Sequence, residues 1–207
     1  MSKPHNLARK SLILLGAALV TTGAWSGSLM DWEVDEDHTE INFTTKHFFT
    51  PVTGKFGSYD VQLDYDAERP ERSTVAVRID VASIDTGNER RDDHLRTADW
   101  FDAERWPSIT FRSTSVRRVA ENRLVAVGDL TIRGVTKQIE LPIEILGVQD
   151  IPSEMQEMLM GAERVASFHS TLTIDRGEFE VGSGSWAQTM IVAGDVDIEI
   201  ALEAADR

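Results

Sequence analysis

The sequence predicts an all-β fold: an eight-stranded antiparallel sheet closed into a barrel. Three observations carry the prediction. Apolar and polar residues alternate over most of the chain, eight such runs follow one another with turn signals between several of them, and no long helical pattern interrupts the series. Closure is preferred to an open sheet because a ring leaves no unpaired edge to invite aggregation. With eight strands the interior is either filled by side chains or able to hold one small apolar ligand.

The elements follow in order. Runs 40–46 and 56–65 give the first two strands, separated from the third by a turn at Arg69-Pro70. In 75–81, Val75, Val77, Ile79 and Val81 share one face while Ala76, Arg78 and Asp80 take the other. Thr86, with Glu89 three residues on, fits a capping box that opens a short helix reaching about Thr97. Strands at 108–116 and 123–132 flank a turn at Glu121-Asn122, and Arg133-Gly134 is short enough for a hairpin into 139–145. There Ile139, Leu141, Ile143 and Ile145 point one way, and Pro142, on the other side and without an amide donor, predicts a bulge or a loosely paired edge. A second short helix is expected where Ser153 and Gln156 repeat the capping relation and Gly161 supplies a stop. Its Met155, Met158 and Leu159 suit a connection packed over one barrel end, or alternatively a lid. Strands at 164–175 and 189–202 complete the eight, the last bent at Gly194.

Composition narrows the function. The chain of 207 residues carries 21 basic and 35 acidic side chains, a formal charge of -14, and no cysteine. That balance disfavours nucleic acid and anionic membranes as unassisted partners, and contact with a membrane would be transient. At the N-terminus Lys3, Arg9 and Lys10 precede an apolar run too short for a membrane span, followed by the small residues Ala24 and Ser26. Residues 1–26 are therefore expected to be a signal peptide cut before Gly27, leaving 27–207 as one secreted domain. In a double-membraned bacterium its destination would be the periplasm.

The densest polar stretch, Asn88 to Phe101, looks chemical at first sight. On a helix, however, Asp92 and His94 stand roughly 200° apart and cannot share a metal ion. Asp92 is expected to pair with Arg96 at i, i+4, whereas Arg90, Arg91 and His94 form a cationic face suited to an anionic head group. His38, His47 and His169 lack ligand spacing, and no nucleophile or phosphate-loop motif is present. Neither a metal site, a catalytic set nor a cofactor is expected. Two alternatives stay open: a metal-dependent hydrolase built from His47, His94 and nearby acids, and a filled-barrel stress-response or interaction protein. Phe48, Phe49, Trp100, Phe101 and Trp106 lie outside the strands near one end, where they would line a mouth if exposed and plug it if buried.

Four segments resemble the YceI-like family of secreted lipid-binding proteins: residues 32–60, beginning WEVDEDHTEINF; 83–113, containing NERRDDHLRTADWF; 128–143, GDLTIRGVTKQIELPI; and 168–182, FHSTLTIDRGEFEVG. Their order and spacing cover almost the whole secreted portion. The resemblance implies a lipocalin-like barrel with a long apolar cavity for a polyisoprenoid chain, in some members with a quinone-like tail, and no catalytic residues. On that reading the cavity lining would come from Phe43, Phe56 and Leu63 on the first two strands, Val77 and Ile79 on the third, and Ile109 and Phe111 on the fourth. Leu130 and Phe168 would add to it from later strands, and Phe101 and Phe179 from the connections. His47, Arg90, Arg91 and His94 would meet a head group, and pairing as a homodimer is left open. The family's R-x-D-F-G is here Arg176 to Glu180, with glutamate in place of the glycine, which predicts a different local turn.

Overall fold

Residues 31–206 are described in the computed structural model, so the expected signal peptide at 1–26 lies outside the described residues. The alternating segments become β1 (Asp31–Val34), β2 (Glu40–His47), β3 (Thr50–Phe56), β4 (Tyr59–Asp64), β5 (Thr74–Asp80) and β6 (Ile84–Asp85). Then come α1 (Glu89–Arg96), β7 (Ser108–Ala120), β8 (Arg123–Ile132), β9 (Val135–Asp150), α2 (Ser153–Gln156), β10 (Arg164–Asp175) and β11 (Asp195–Asp206). Among the described residues these segments amount to the eight expected strands, because three strands are each broken once. A 3-10 turn at Glu36–His38 separates β1 from β2, Gly57 and Ser58 separate β3 from β4, and a 3-10 turn at Val81–Ser83 separates β5 from β6.

Strands adjacent in sequence pair antiparallel, and the ring closes through β11, which pairs with β2 along Asp197–Ala201 and with β1 along Ala204–Asp206. The fold class is thus the closed antiparallel barrel expected. Its first two strands run longer than their alternation suggested. Pro51 and Gly54 mask β3 in the sequence, although both residues pair with β2. The last strand starts later than expected, at Asp195, because 176–194 form a loop.

Turn chemistry agrees with the register. Arg133 and Gly134 both take positive φ, 50° and 75°, the mirror-image turn that matches strand twist in a two-residue hairpin. Gly134 is also a close-packing site, since a Cβ there would stand 2.6 Å from the Trp106 indole. At Pro142 the β9–β10 ladder runs out, its last pair being His169 with Glu144 after a bulge at Ser167 and Phe168. The Ser170 hydroxyl donates to the Pro142 carbonyl at 2.6 Å, replacing part of the lost pairing.

The two short helices differ in detail from expectation. Asn88, rather than Thr86, caps α1, its side chain accepting from the Arg91 amide at 3.1 Å. No side chain caps α2; it is a single turn, followed by Gly161 at φ 88°. It connects β9 to β10 at the end of the barrel opposite the β2–β3 hairpin.

That end is solid. Trp32, Tyr65 and Phe168 stack across it, with ring centroids 5.8 Å apart for the first pair and 5.0 Å for the second. The Trp32 indole donates to the Tyr65 carbonyl at 2.9 Å. Ala126, Ala166 and Ala204, all fully buried, make room for these rings.

At the kink between β1 and β2, Asp35 caps the 3-10 turn and bonds the His38 ring at 2.9 Å, with Glu203 3.9 Å away. The hydrogen bond from Asp35 raises the His38 pKa above its ordinary 6.5, and the same bond holds Asp35 below 3.8. The His38 contribution to stability is therefore complete below pH 6.5 and is lost as pH rises through the raised value. The Asp35 contribution is present above pH 3.8 and is lost as pH falls through the lowered value. Thermal melting of the protein is expected to weaken slightly as pH is raised from about 6 to about 9. In His38→Gln that alkaline slope should flatten, and an unchanged slope would assign it to other groups.

Candidate functional site

Where the floor is filled by aromatic rings, the other half of the barrel is hollow. Inward positions of every strand from β2 onward, together with α1 and the 176–194 loop, surround a cavity of about 660 Å³. Its wall is mostly aliphatic and aromatic, from Ile41 and Phe43 through Phe111, Leu130 and Ile139 to Ile198 and Leu202. Gly54 allows Phe43 to lie across β3, since a Cβ there would stand 2.4 Å from the ring. The cavity reaches the surface beside His47 and Thr50, which line it and are themselves exposed.

The structure places the cavity residues named from sequence parity in two groups. Phe43, Phe56, Val77, Ile79, Phe101, Ile109, Phe111, Leu130 and Phe179 line the hollow half. Leu63 and Phe168 do not. Leu63 pairs with Trp32 and Val75 in the filled half, and Phe168 is held edge-on against Tyr65. Their parity is inward but their depth is wrong, and alternation carries no information about depth.

The polar candidates also divide. Arg91 and His94 line the cavity near its mouth, as does His47, whereas Arg90 is exposed on the outside of α1. At 100° per residue His94, Arg91 and Leu95 occupy one sector of about 100°, and Arg90 falls just beyond it. The expected Asp92–Arg96 pair does not form. Asp92 is buried at 5% exposure and accepts from the Thr86 amide at 2.9 Å and the Thr86 hydroxyl at 2.5 Å. Arg91 donates to the same hydroxyl at 2.6 Å and to the Thr86 carbonyl at 2.8 Å, so the buried acid orients the base through one threonine. Arg96 turns instead to Asp93 at 3.0 Å and to the carbonyls of Ala82 and Ile84.

Arg176 is the functional-site residue that sequence reasoning missed. Only 4% exposed, it donates to the carbonyls of Val181, Trp186, Ala193 and Val192 at 2.7 to 3.0 Å and lies 5.1 Å from the Trp100 ring. Burial pushes its pKa down, and no carboxylate bonds it. Trp100, Trp186 and His94 pack together beside it, with centroids 5.1 to 6.0 Å apart. No acidic residue lines the cavity among the described residues, whereas Arg91, Arg176, His47 and His94 do. The acids invoked for a hydrolase are therefore not gathered around His47 and His94. One other group of possible metal donors, Asp35, His38 and Glu203, comes within 4.8 Å on the outside of the barrel, where the ion pair described above accounts for it.

The YceI-like domain family matches residues 32–204. The chain belongs to this family. A UPF0312 protein of Vibrio cholerae is 30% identical over 96% of this chain and the full length of that protein. The crystal structure of BcnA from Burkholderia cenocepacia is 28% identical and superposes with a TM-score of 0.73, covering 83% of this chain and 99% of that one. A polyisoprenoid binding domain from Saccharophagus degradans shares the fold at 12% identity, with a TM-score of 0.62 over 86% and 99% of the two chains.

In segment 176–180, where the YceI-like pattern expects a glycine, Glu180 adopts φ 58° and ψ 21°, the left-handed conformation natural to a glycine, so the glutamate bears the strain. Its carbonyl is held by the Arg133 guanidinium. Replacing Glu180 by glycine is expected to stabilise the protein by about 1 kcal/mol in chemical denaturation. Asp92→Ala should cost about 1–3 kcal/mol, because it removes the partner of the half-buried Thr86 amide and hydroxyl. The same substitution should release Arg91, seen as faster hydrogen exchange in α1; retention of wild-type stability would refute the role given to Asp92.

Proposed function

We propose that this protein is a secreted, periplasmic carrier or sequestering protein that holds a long apolar chain of the polyisoprenoid class inside the barrel. The observation that carries the reading is the hollow apolar half of the barrel, about 660 Å³, with its charged and histidine groups grouped toward the mouth-end elements. Its size falls within the ~300–1,000 Å³ of small-molecule sites. The polyisoprenoid binding of the Saccharophagus degradans domain supports the ligand class by analogy of fold. At ~0.8 kcal/mol per buried CH₂, about ten chain carbons contribute ~8 kcal/mol, near micromolar affinity. Arg91, His94 and His47 would meet a polar or anionic head group, and a quinone-like head is compatible with the same position.

Lipid extracted from the purified protein and analysed by mass spectrometry should contain an isoprenoid chain. Ile198→Trp, placed in the cavity wall opposite Phe43 and Leu172, should keep the fold and weaken uptake about ten-fold, the cost of displacing roughly two buried carbons. A barrel that arrives empty and rejects added isoprenoids would overturn the reading.

A further inference from the structure

The β2–β3 hairpin carries an anomaly that folding does not explain. His47 pairs with Thr50, so Phe48 and Phe49 are the two residues of a tight turn, and Phe48 sits at φ 53°. A two-residue hairpin turn with positive φ at its first central residue favours glycine there, because a bulky side chain at positive φ is strained. Here two phenylalanines occupy it and face solvent, at 51% and 93% exposure. The tip does not stand alone. The Phe48 amide donates to the Ile191 carbonyl at 2.6 Å, His47 bridges to Val192, and the same loop presents Met190 at 74% exposure. Three exposed apolar side chains thus share one rim, beside the His47, Val52 and Val192 walls of the cavity mouth but outside its lining.

The turn and loop that build this rim are poor in charge. In a chain with 35 acidic residues, segment 41–59 contains none and carries Lys46 and Lys55, and segment 181–194 contains no charged side chain. The exposed methionines at the far end, Met155, Met158 and Met160, lie instead among Glu154, Glu157 and Glu163. An acid-free rim with aromatic tips can enter the headgroup region of a bilayer without repulsion or the burial of charge; the acidic end cannot.

We propose that the Phe48–Phe49 turn and Met190 dock the barrel mouth onto a lipid bilayer, so that an apolar chain passes between membrane and cavity without crossing water. The passage rests on the cavity holding such a chain; the docking does not. The test uses protein in the form to which cells process it, with phosphatidylcholine vesicles for flotation and farnesol, without vesicles, for cavity binding. The variant combines Phe48→Gly, Phe49→Asn and Met190→Ser. The wild type should float with the vesicles, and the variant should lose this about ten-fold or more, since each buried apolar side chain is worth roughly that factor. Its farnesol affinity should not change. Its melting temperature should stay level or rise, because glycine suits the positive φ at position 48. Equal flotation of the two proteins, or a wild type that stays unbound, overturns the proposal. So does a wild-type dimer that the variant breaks with no vesicle binding, which would make the rim a contact between copies. Tip-dependent flotation without farnesol binding in either protein supports docking and refutes the cargo reading.

Discussion

Everything in this molecule depends on the double pairing of β11, with β2 along one half of its length and β1 along the other. That pairing turns a meander into a ring, and a ring can keep an empty interior because every inner backbone group is already bonded within the wall. Once the sheet is closed, what occupies its centre is a matter of side-chain volume at each level. Trp32, Tyr65 and Phe168, given room by the buried alanines, fill one half; in the other, aliphatic side chains and rings form a wall around a hollow.

The mouth is held open by polar interactions rather than by packing. Arg176 gathers four carbonyls from a loop built of short 3-10 turns, so a buried cation does the work that strand pairing does elsewhere. Its desolvation is offset by charge-assisted hydrogen bonds and by the Trp100 face. In α1, Asp92 and Thr86 fix Arg91, while Arg96 fastens the helix to the segment beside β6. The result is a rigid frame around an apolar opening in which base outnumbers acid, within a protein whose overall charge is strongly negative. The cationic lining favours negative charge at that opening.

The family match spans the whole barrel, and the geometry singles out one half of it. The match over residues 32–204 concerns the sequence, and the cavity concerns volume and exposure. The strained residues add a third line. Glu180 keeps a glycine-like turn, and Phe48 takes a conformation that Asn or Gly would hold at lower cost. Both lie at the mouth end, whereas no non-glycine residue among the described part of the floor, apart from Met160 in the α2 connection, takes positive φ. Strain of this kind persists where something other than folding selects the residue.

The sequence by itself determined the eight strands, the closed topology and the inward parity of nine cavity residues, because alternation at period two is a local property that each strand carries alone. It also separated Asp92 from His94, since helix geometry is equally local. Depth along the barrel was a different matter. Leu63 and Phe168 share the parity of Val61 and Leu172, yet they lie in the filled half, which only the stagger of neighbouring strands decides. Asn88 displaced Thr86 as the helix cap, which freed Thr86 to link Asp92 with Arg91. Arg176 acquired its role only when residues 5 to 17 positions away folded back on it. Contacts between distant segments depend on how the ring closes, and that information resides in the tertiary structure alone.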